Sequence, residues 1–239
     1  MKYQAVIFDL FGTLIDNLPF EGFGHLLTDM ATILAAPREE FAREWVATFD
    51  QQAVGFFTTW EENISHVCRA CNFVPSPARV AMAARLLPEF VARSIQLRPD
   101  AVATISQLKS TGYKIGLVSD CSMEIPALWP SLPLAALIDQ PVFSCAVGVR
   151  KPDPRIYRLA SERLGVRPPE CLYVGDGSSR ELTGAAQVGM QPVLISVPYD
   201  RDYDQWRPDA VEWRGARIAR LSELLSVIAH MEILEEHVK

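Results

Sequence analysis

Four short apolar runs, each closing on a polar residue or on glycine, constrain the fold of this 239-residue chain more than any other feature. They are Ala5-Val-Ile-Phe8 before Asp9, Ile115-Gly-Leu-Val118 before Ser119, Leu172-Tyr-Val174 before Gly175-Asp176, and Pro192-Val-Leu-Ile195 before Ser196. Continuous apolar runs of this length suit strands buried on both faces. Helical patterns accompany the later runs, over Asp100 to Ser110, Pro154 to Leu164 and Ser179 to Val188, and the last two close on Gly165 and Gly189. The alternation predicts an α/β fold with helices packed on the faces of a parallel sheet.

The interval after the first run is too long for one crossover. Residues 16–92 carry amphipathic helical stretches around Gly24 to Leu34, Glu39 to Val54, Trp60 to Cys71 and Pro77 to Ile95. This reads as an all-helical domain, 16–92, inserted into a core made of residues 1–15 and 93–239. Such an insert would stand above the carboxyl ends of the strands, where open parallel sheets bind ligands, and could serve as a lid. Phe41, Trp45, Phe49, Phe56, Phe57 and Trp60 in it are expected to pack rather than touch ligand. Tyr199 to Arg217 reads as polar and irregular, and Leu221 to His230 as a terminal helix.

Composition narrows the partners. A net charge of −6 with 22% charged residues lacks the basic excess of a nucleic-acid binder, so a small molecule is the expected partner and nucleic acid is not. The acidic balance does not forbid an anionic substrate, because a bound divalent cation and well-placed lysines reverse the local field. The uncharged stretch Ile125 to Ile138 is broken by Pro126, Pro130 and Pro133, so no membrane span is expected. The opening MKYQAVIFDL lacks the pattern of a secretory signal, which makes cytoplasm the expectation, as monomer or homodimer. Cys68 and Cys71 form a CxxC without a second pair, which suits buried helix cysteines better than a zinc site.

The strand ends carry the chemistry. Phosphoryl transfer needs an aligned nucleophile, cations that screen the phosphate oxygens, and donors that fix them. Asp9 ends the first run; Gly12 permits a tight turn after it and Thr13 offers a hydroxyl. Read alone, Asp9 is as well a cap or turn residue, and Ser119, Lys151, Asp176 and Glu181 each have a similar plain reading as turn, loop or helix-start residues.

Together they form a pattern. Phe8-Asp-Leu-Phe-Gly-Thr-Leu14 resembles the first motif of the haloacid dehalogenase-like superfamily. Ser119 resembles the hydroxyl of its second motif, Lys151 in Arg-Lys-Pro-Asp-Pro the cation of its third, and Gly175-Asp176 through Glu181 its acidic fourth. The resemblance implies a Rossmann-like three-layer core with a helical cap inserted after the first motif. It also implies a hydrolase in which Asp9 is the nucleophile, Lys151 orients it and offsets negative charge, and Thr13 and Ser119 position oxygens. Mg²⁺ would be held by Asp9, the backbone carbonyl of Phe11 and Asp176, with Glu181 acting directly or through water. The implied substrate is a small phosphorylated molecule.

One position departs from the pattern. Phosphatases of that superfamily usually carry a second Asp two residues after the nucleophile, as general acid and base, and here the residue is Phe11. Losing general acid–base catalysis costs roughly two to four orders of magnitude. Haloacid dehalogenases of the superfamily also have a non-acidic residue there, which makes dehalogenation a rival, and a weakened phospholigand-binding member a third possibility. Against dehalogenation stands Asp176, because those enzymes work without metal. Asp120, next to Ser119, is a candidate replacement proton donor or substrate contact, with a solvated turn aspartate as the plain alternative. The chain has no G-x-G-x-x-G, no G-x-x-x-x-G-K-[ST] and no G-x-S-x-G, which disfavours dinucleotide, P-loop and serine-hydrolase chemistry.

Overall fold

The computed structural model describes residues 2–197 and 207–236. Strand β1 (Ala5–Phe8) leads into six consecutive helices: α1 (Phe20–Leu34), α2 (Arg38–Ala47), α3 (Phe49–Ala53), α4 (Trp60–Ala70), α5 (Pro77–Ala84) and α6 (Leu86–Ser94). Helices and strands then alternate through α7 (Ala101–Ser110), β2 (Lys114–Ser119), α8 (Glu124–Leu128), β3 (Gln140–Phe143), α9 (Ser144–Val147), α10 (Pro154–Leu164) and β4 (Cys171–Gly175). They finish with α11 (Glu181–Gln187), β5 (Gln191–Ile195), α12 (Pro208–Glu212), β6 (Arg217–Ile218) and α13 (Leu224–Glu236).

The six strands form one sheet in the order β3-β2-β1-β4-β5-β6, and every pairing is parallel. Val6, Phe8, Leu117 and Val174 face one apolar layer, while Ala5, Ile7, Val118 and Tyr173 face the other. Burial on both faces gives the Rossmann-like three-layer α/β architecture that the continuous apolar runs predict. The strand order turns at β1 and β4, where Phe8 lies opposite Leu117 on one side and Val174 on the other. Helices on either side of such a turn diverge and open a crevice at the carboxyl ends of the strands.

All four anticipated strands are present, and two more join them. The β3 strand contains Pro141, which removes a ladder donor and is tolerated because β3 is an edge. The β6 strand has two residues and also lies at an edge. Short edge strands have too little apolar length to stand out in a sequence. Part of the polar stretch expected from Tyr199 to Arg217 lies outside the described residues; the rest holds α12 and the start of β6. The pattern from Ser179 begins its helix at Glu181 instead, because Ser179 and Arg180 adopt positive φ values of 52° and 51°. The stretch from Glu39 is two helices that meet at Thr48, whose hydroxyl bonds the Trp45 carbonyl at 2.7 Å.

The helices of 20–94 pack chiefly on one another, α1 against α2, α5 and α6, and α4 against α2 and α5. Their centre is aromatic, with Phe41, Trp45 and Trp60 in a chain of ring contacts near 6 Å. Cys68 and Cys71 are buried in it. Phe49 and Phe56 depart from the packing expectation and are exposed. Contact with the sheet layer runs through α3 against α9 and α6 against α8. No described helix is long and apolar enough to cross a membrane.

The two connections to the helical segment run antiparallel. Asp16 N–H donates to the Gln96 carbonyl at 2.9 Å, and Arg98 N–H donates to the Leu14 carbonyl at 3.0 Å. The Arg98 side chain is 2% exposed; it donates to the Gly12 carbonyl at 2.6 Å and pairs with Asp16 at 3.2 Å. One guanidinium therefore ties the loop after β1 to the returning connection. Removing it leaves a buried carbonyl without that donor, while half-exposed Asp16 is re-solvated, so the pair with Asp16 adds little. Arg98→Met is expected to lower stability by about 2 kcal/mol with an unchanged urea m-value. An unchanged denaturation midpoint would show that the crossing does not depend on Arg98.

Candidate active site

Asp9 follows β1 directly and continues its ladder, its N–H donating to the Val174 carbonyl of β4 at 2.9 Å. Asp176 follows β4 and Ser119 ends β2. Lys151 comes from the loop between α9 and α10, and Glu181 opens α11. Adjacent parallel strands deliver their last residues to the same level, so these groups converge at the crevice. Lys151 Nζ lies 2.5 Å from Asp9 Oδ1 and 2.6 Å from Glu181 Oε2. The Lys151 side chain is 2% exposed and that of Glu181 0%.

Three charges in so dry a place perturb one another. Burial pushes Asp9 up to about 6, against the opposing pull of Lys151. Burial also drives Glu181 well above the usual carboxylate range, helped by Asp9 and opposed by Lys151. Desolvation alone would lower the Lys151 ammonium, but Asp9 and Glu181 outweigh it and hold Lys151 protonated well above its ordinary range. Glu181 is held from further sides, accepting from the Tyr173 hydroxyl at 2.8 Å and from Gly177 N–H at 2.9 Å. Both of its oxygens thus already accept hydrogen bonds from the protein.

Asp9 and Asp176 differ from Glu181 in this respect. Asp9 Oδ2 and Asp176 Oδ2 are buried with no hydrogen-bond partner, and so are the hydroxyls of Thr13 and Ser119. Each such atom costs roughly 1–3 kcal/mol of stability unless a ligand satisfies it. Oxygens of Asp9, Asp176 and Glu181 lie within 4.8 Å of one another. Hard carboxylate oxygens so gathered suit Mg²⁺, and the two with capacity to spare belong to Asp9 and Asp176. Gly12, at φ 75°, makes the approach possible: a Cβ there would stand 2.3 Å from Asp176 Oδ2. Phe11 is half-buried against the core and brings no acid to the site.

Asp120 is neither solvated nor free. Its side chain is 7% exposed, and its Oδ1 accepts from the Lys151 backbone N–H at 2.9 Å, so it braces the loop that carries the lysine. Burial raises its pKa, with Lys151 opposing. The solvated-turn alternative therefore fails, because the loop from α9 folds over it.

Three arginines escaped the sequence reading. Arg98 fixes Gly12 as described. Arg150 lies 3.6 Å from Asp120, pairs with Asp50 of α3 and stands 5.4 Å over the Phe49 ring, joining the loop of Lys151 to the helical segment. Arg207, 1% exposed, lies 3.6 Å from Asp176 Oδ2. Isolated arginines carry no spacing signal; only the adjacency of Arg150 to Lys151 could have drawn attention. Tyr173 was legible as strand, but its hydroxyl contact to Glu181 was not.

A sequence model of the family described as haloacid dehalogenase-like hydrolase matches residues 3–189. The glyceraldehyde 3-phosphate phosphatase of Methanopyrus kandleri is 27% identical over 95% of this chain and 98% of that protein. The (S)-2-haloacid dehalogenase 4A of Burkholderia cepacia is 27% identical over 81% of this chain and 83% of its own length. Among solved structures, the 2-haloacid dehalogenase from Pseudomonas syringae superposes with a TM-score of 0.70 at 23% identity, over 96% of this chain and 99% of that one.

The lysine between two carboxylates yields a prediction with a defined pH sign. Lys151→Met leaves Asp9 and Glu181 buried without their cation, a loss of about 3–5 kcal/mol at about pH 8. Their folded pKa values then lie above the unfolded ones, so the penalty builds as pH rises through the unfolded carboxylate range and recedes as pH falls. Thermal unfolding of parent and variant should therefore converge toward about pH 4. A deficit that does not change with pH would contradict the charge argument.

Proposed function

The chain belongs to the haloacid dehalogenase-like hydrolases, and from that premise we propose that it is a Mg²⁺-dependent phosphatase of a small phosphorylated metabolite, with Asp9 as nucleophile. The observation that carries this reading is the pair of buried carboxylate oxygens on Asp9 and Asp176 that accept no hydrogen bond from the protein. A carboxylate at Asp176 beside the nucleophile would repel an anionic substrate unless a cation stood between them. Asp9 and Asp176, with the Phe11 carbonyl, would hold Mg²⁺, which when bound screens the phosphoryl oxygens and lowers the cost of bringing an anion to Asp9.

An oxygen of Asp9 attacks phosphorus, the ester P–O bond breaks, and an aspartyl-phosphate forms. Lys151 holds Asp9 through Oδ1 and keeps the nucleophile ionised although burial raises its pKa. Thr13 and Ser119 have hydroxyls with no other partner and donate to the phosphoryl oxygens. Water then hydrolyses the aspartyl-phosphate, releasing phosphate and restoring Asp9. The departing alkoxide takes its proton from solvent, because Phe11 cannot supply one. The helical segment of residues 16–92 acts as a cap that limits water and selects substrate, with Arg150 and Asp50 as a closing contact. The name of the Methanopyrus relative supports a small phosphorylated sugar or sugar-like substrate.

Dehalogenation of a 2-haloacid is the second reading, favoured by Phe11 and by the Burkholderia relative's name. A screen of small phosphate esters and 2-haloacids, with and without Mg²⁺, separates the two. Phosphate release that needs Mg²⁺ and disappears in Asp9→Asn is expected, and Phe11→Asp should accelerate it roughly ten- to hundredfold. Halide release without metal, also lost in Asp9→Asn, would replace the phosphatase reading.

A further inference from the structure

Arg207 occupies an unusual position for a cation. Its guanidinium is buried against Asp176, whose Oδ1 already accepts from Ser178 N–H at 2.9 Å, and it faces the remaining oxygen, Oδ2, at 3.6 Å. The placement is imposed by the segment that follows. Asp209 N–H donates to the Gly177 carbonyl at 3.2 Å, and the Asp209 carboxylate accepts from Thr183 N–H at 3.0 Å and its hydroxyl at 2.7 Å. Ala210 N stands only 2.5 Å from where a Cβ on Gly177 would be, and Arg180 pairs with Glu212 at 2.9 Å. Helix α12 is thus fastened to the loop of Asp176, and Arg207 leads into α12.

We propose that Arg207 is a positioning residue that acts as a built-in counter-cation, sharing Asp176 Oδ2 with the divalent ion so that the ion binds more weakly and the loaded site accepts phosphate more readily. The inference rests on the Mg²⁺ reading above. Among the described residues the cluster holds three acids, Asp9, Asp176 and Glu181, and two cations, Lys151 and Arg207. A divalent ion bound there adds two positive charges beside Lys151 and Arg207, which favours an arriving anion. Without Arg207 the site carries one positive charge fewer, so it binds a divalent cation more tightly and, once loaded, attracts phosphate less. A merely structural arginine would not move the two affinities in opposite directions.

Calorimetric titration of the full chain tests this, first with Mg²⁺ alone and then with inorganic phosphate at saturating Mg²⁺. Arg207→Gln should bind Mg²⁺ roughly tenfold more tightly and phosphate roughly tenfold more weakly. Arg207→Lys keeps the charge and should stay within about threefold of the parent for both. Glu212→Gln, which loosens α12 without altering charge at Asp176, should change neither. Weaker or unchanged Mg²⁺ binding in a folded Arg207→Gln overturns the proposal. Should that variant not fold, a loss of Mg²⁺ affinity beyond about tenfold in Arg207→Lys overturns it too, because charge alone would then not suffice. If neither parent nor Arg207→Gln binds Mg²⁺, the proposal also fails. Phosphate release independent of Mg²⁺, with tighter Mg²⁺ binding in Arg207→Gln, would remove the metal-dependent function and leave this inference standing.

Discussion

The ammonium of Lys151, enclosed between Asp9 and Glu181, is the interaction on which the rest of the site depends. Its three members come from the end of β1, the loop after α9 and the start of α11, so it locks three separate parts of the sheet layer to one point. Burial of any one of them alone would cost several kcal/mol and force a change of protonation. Held together, with Tyr173 and the Gly177 N–H completing Glu181, they place a carboxylate of known orientation in a nearly dry crevice.

The remaining polar atoms there are left deliberately incomplete in a physical sense. Thr13, Ser119, Asp9 and Asp176 each retain a buried oxygen without a hydrogen bond, while Glu181 retains none. That contrast divides the acids into one whose oxygens the protein already satisfies and two with capacity for a cation. Backbone geometry supports the same division. Gly12 lets Asp176 approach the loop after β1, and the positive φ at Ser179 and Arg180 delays α11 so that Glu181 turns back toward the lysine. Strain of this kind persists only where surrounding structure over-determines it.

Long-range control of the crevice falls to arginines. Arg98 joins the loop after Asp9 to the returning connection, and Arg150 joins the loop of Lys151 to α3. Both sit where the helical segment meets the sheet layer, so rearrangement of that segment would be felt at Asp9 and Lys151 through one or two contacts. Arg207 acts from the opposite flank, through Asp176.

Much of this is legible in the sequence. The four apolar runs specified buried parallel strands, because a strand covered on both faces has no polar alternation to hide it, and their terminal residues named Asp9, Ser119 and Asp176 as neighbours in a crevice. Lys151 and Glu181 were identifiable only through the resemblance to the superfamily's third and fourth motifs. The edge strands β3 and β6 were not, since an edge needs little apolar length, and the breaks at Thr48 and before Glu181 were set by local hydrogen bonds and dihedral angles that periodicity does not encode. The amino-acid sequence by itself determined the four central strands, the run of helices after β1 and the chemical types present at the strand ends. Only the tertiary structure decided which acids enclose the lysine, which oxygens accept no hydrogen bond, that the Asp120 carboxylate is covered, and that Arg98, Arg150 and Arg207 reach the site. The reason is that burial and charge pairing between residues 30 to 142 positions apart depend on where the chain returns in space, which no local pattern records.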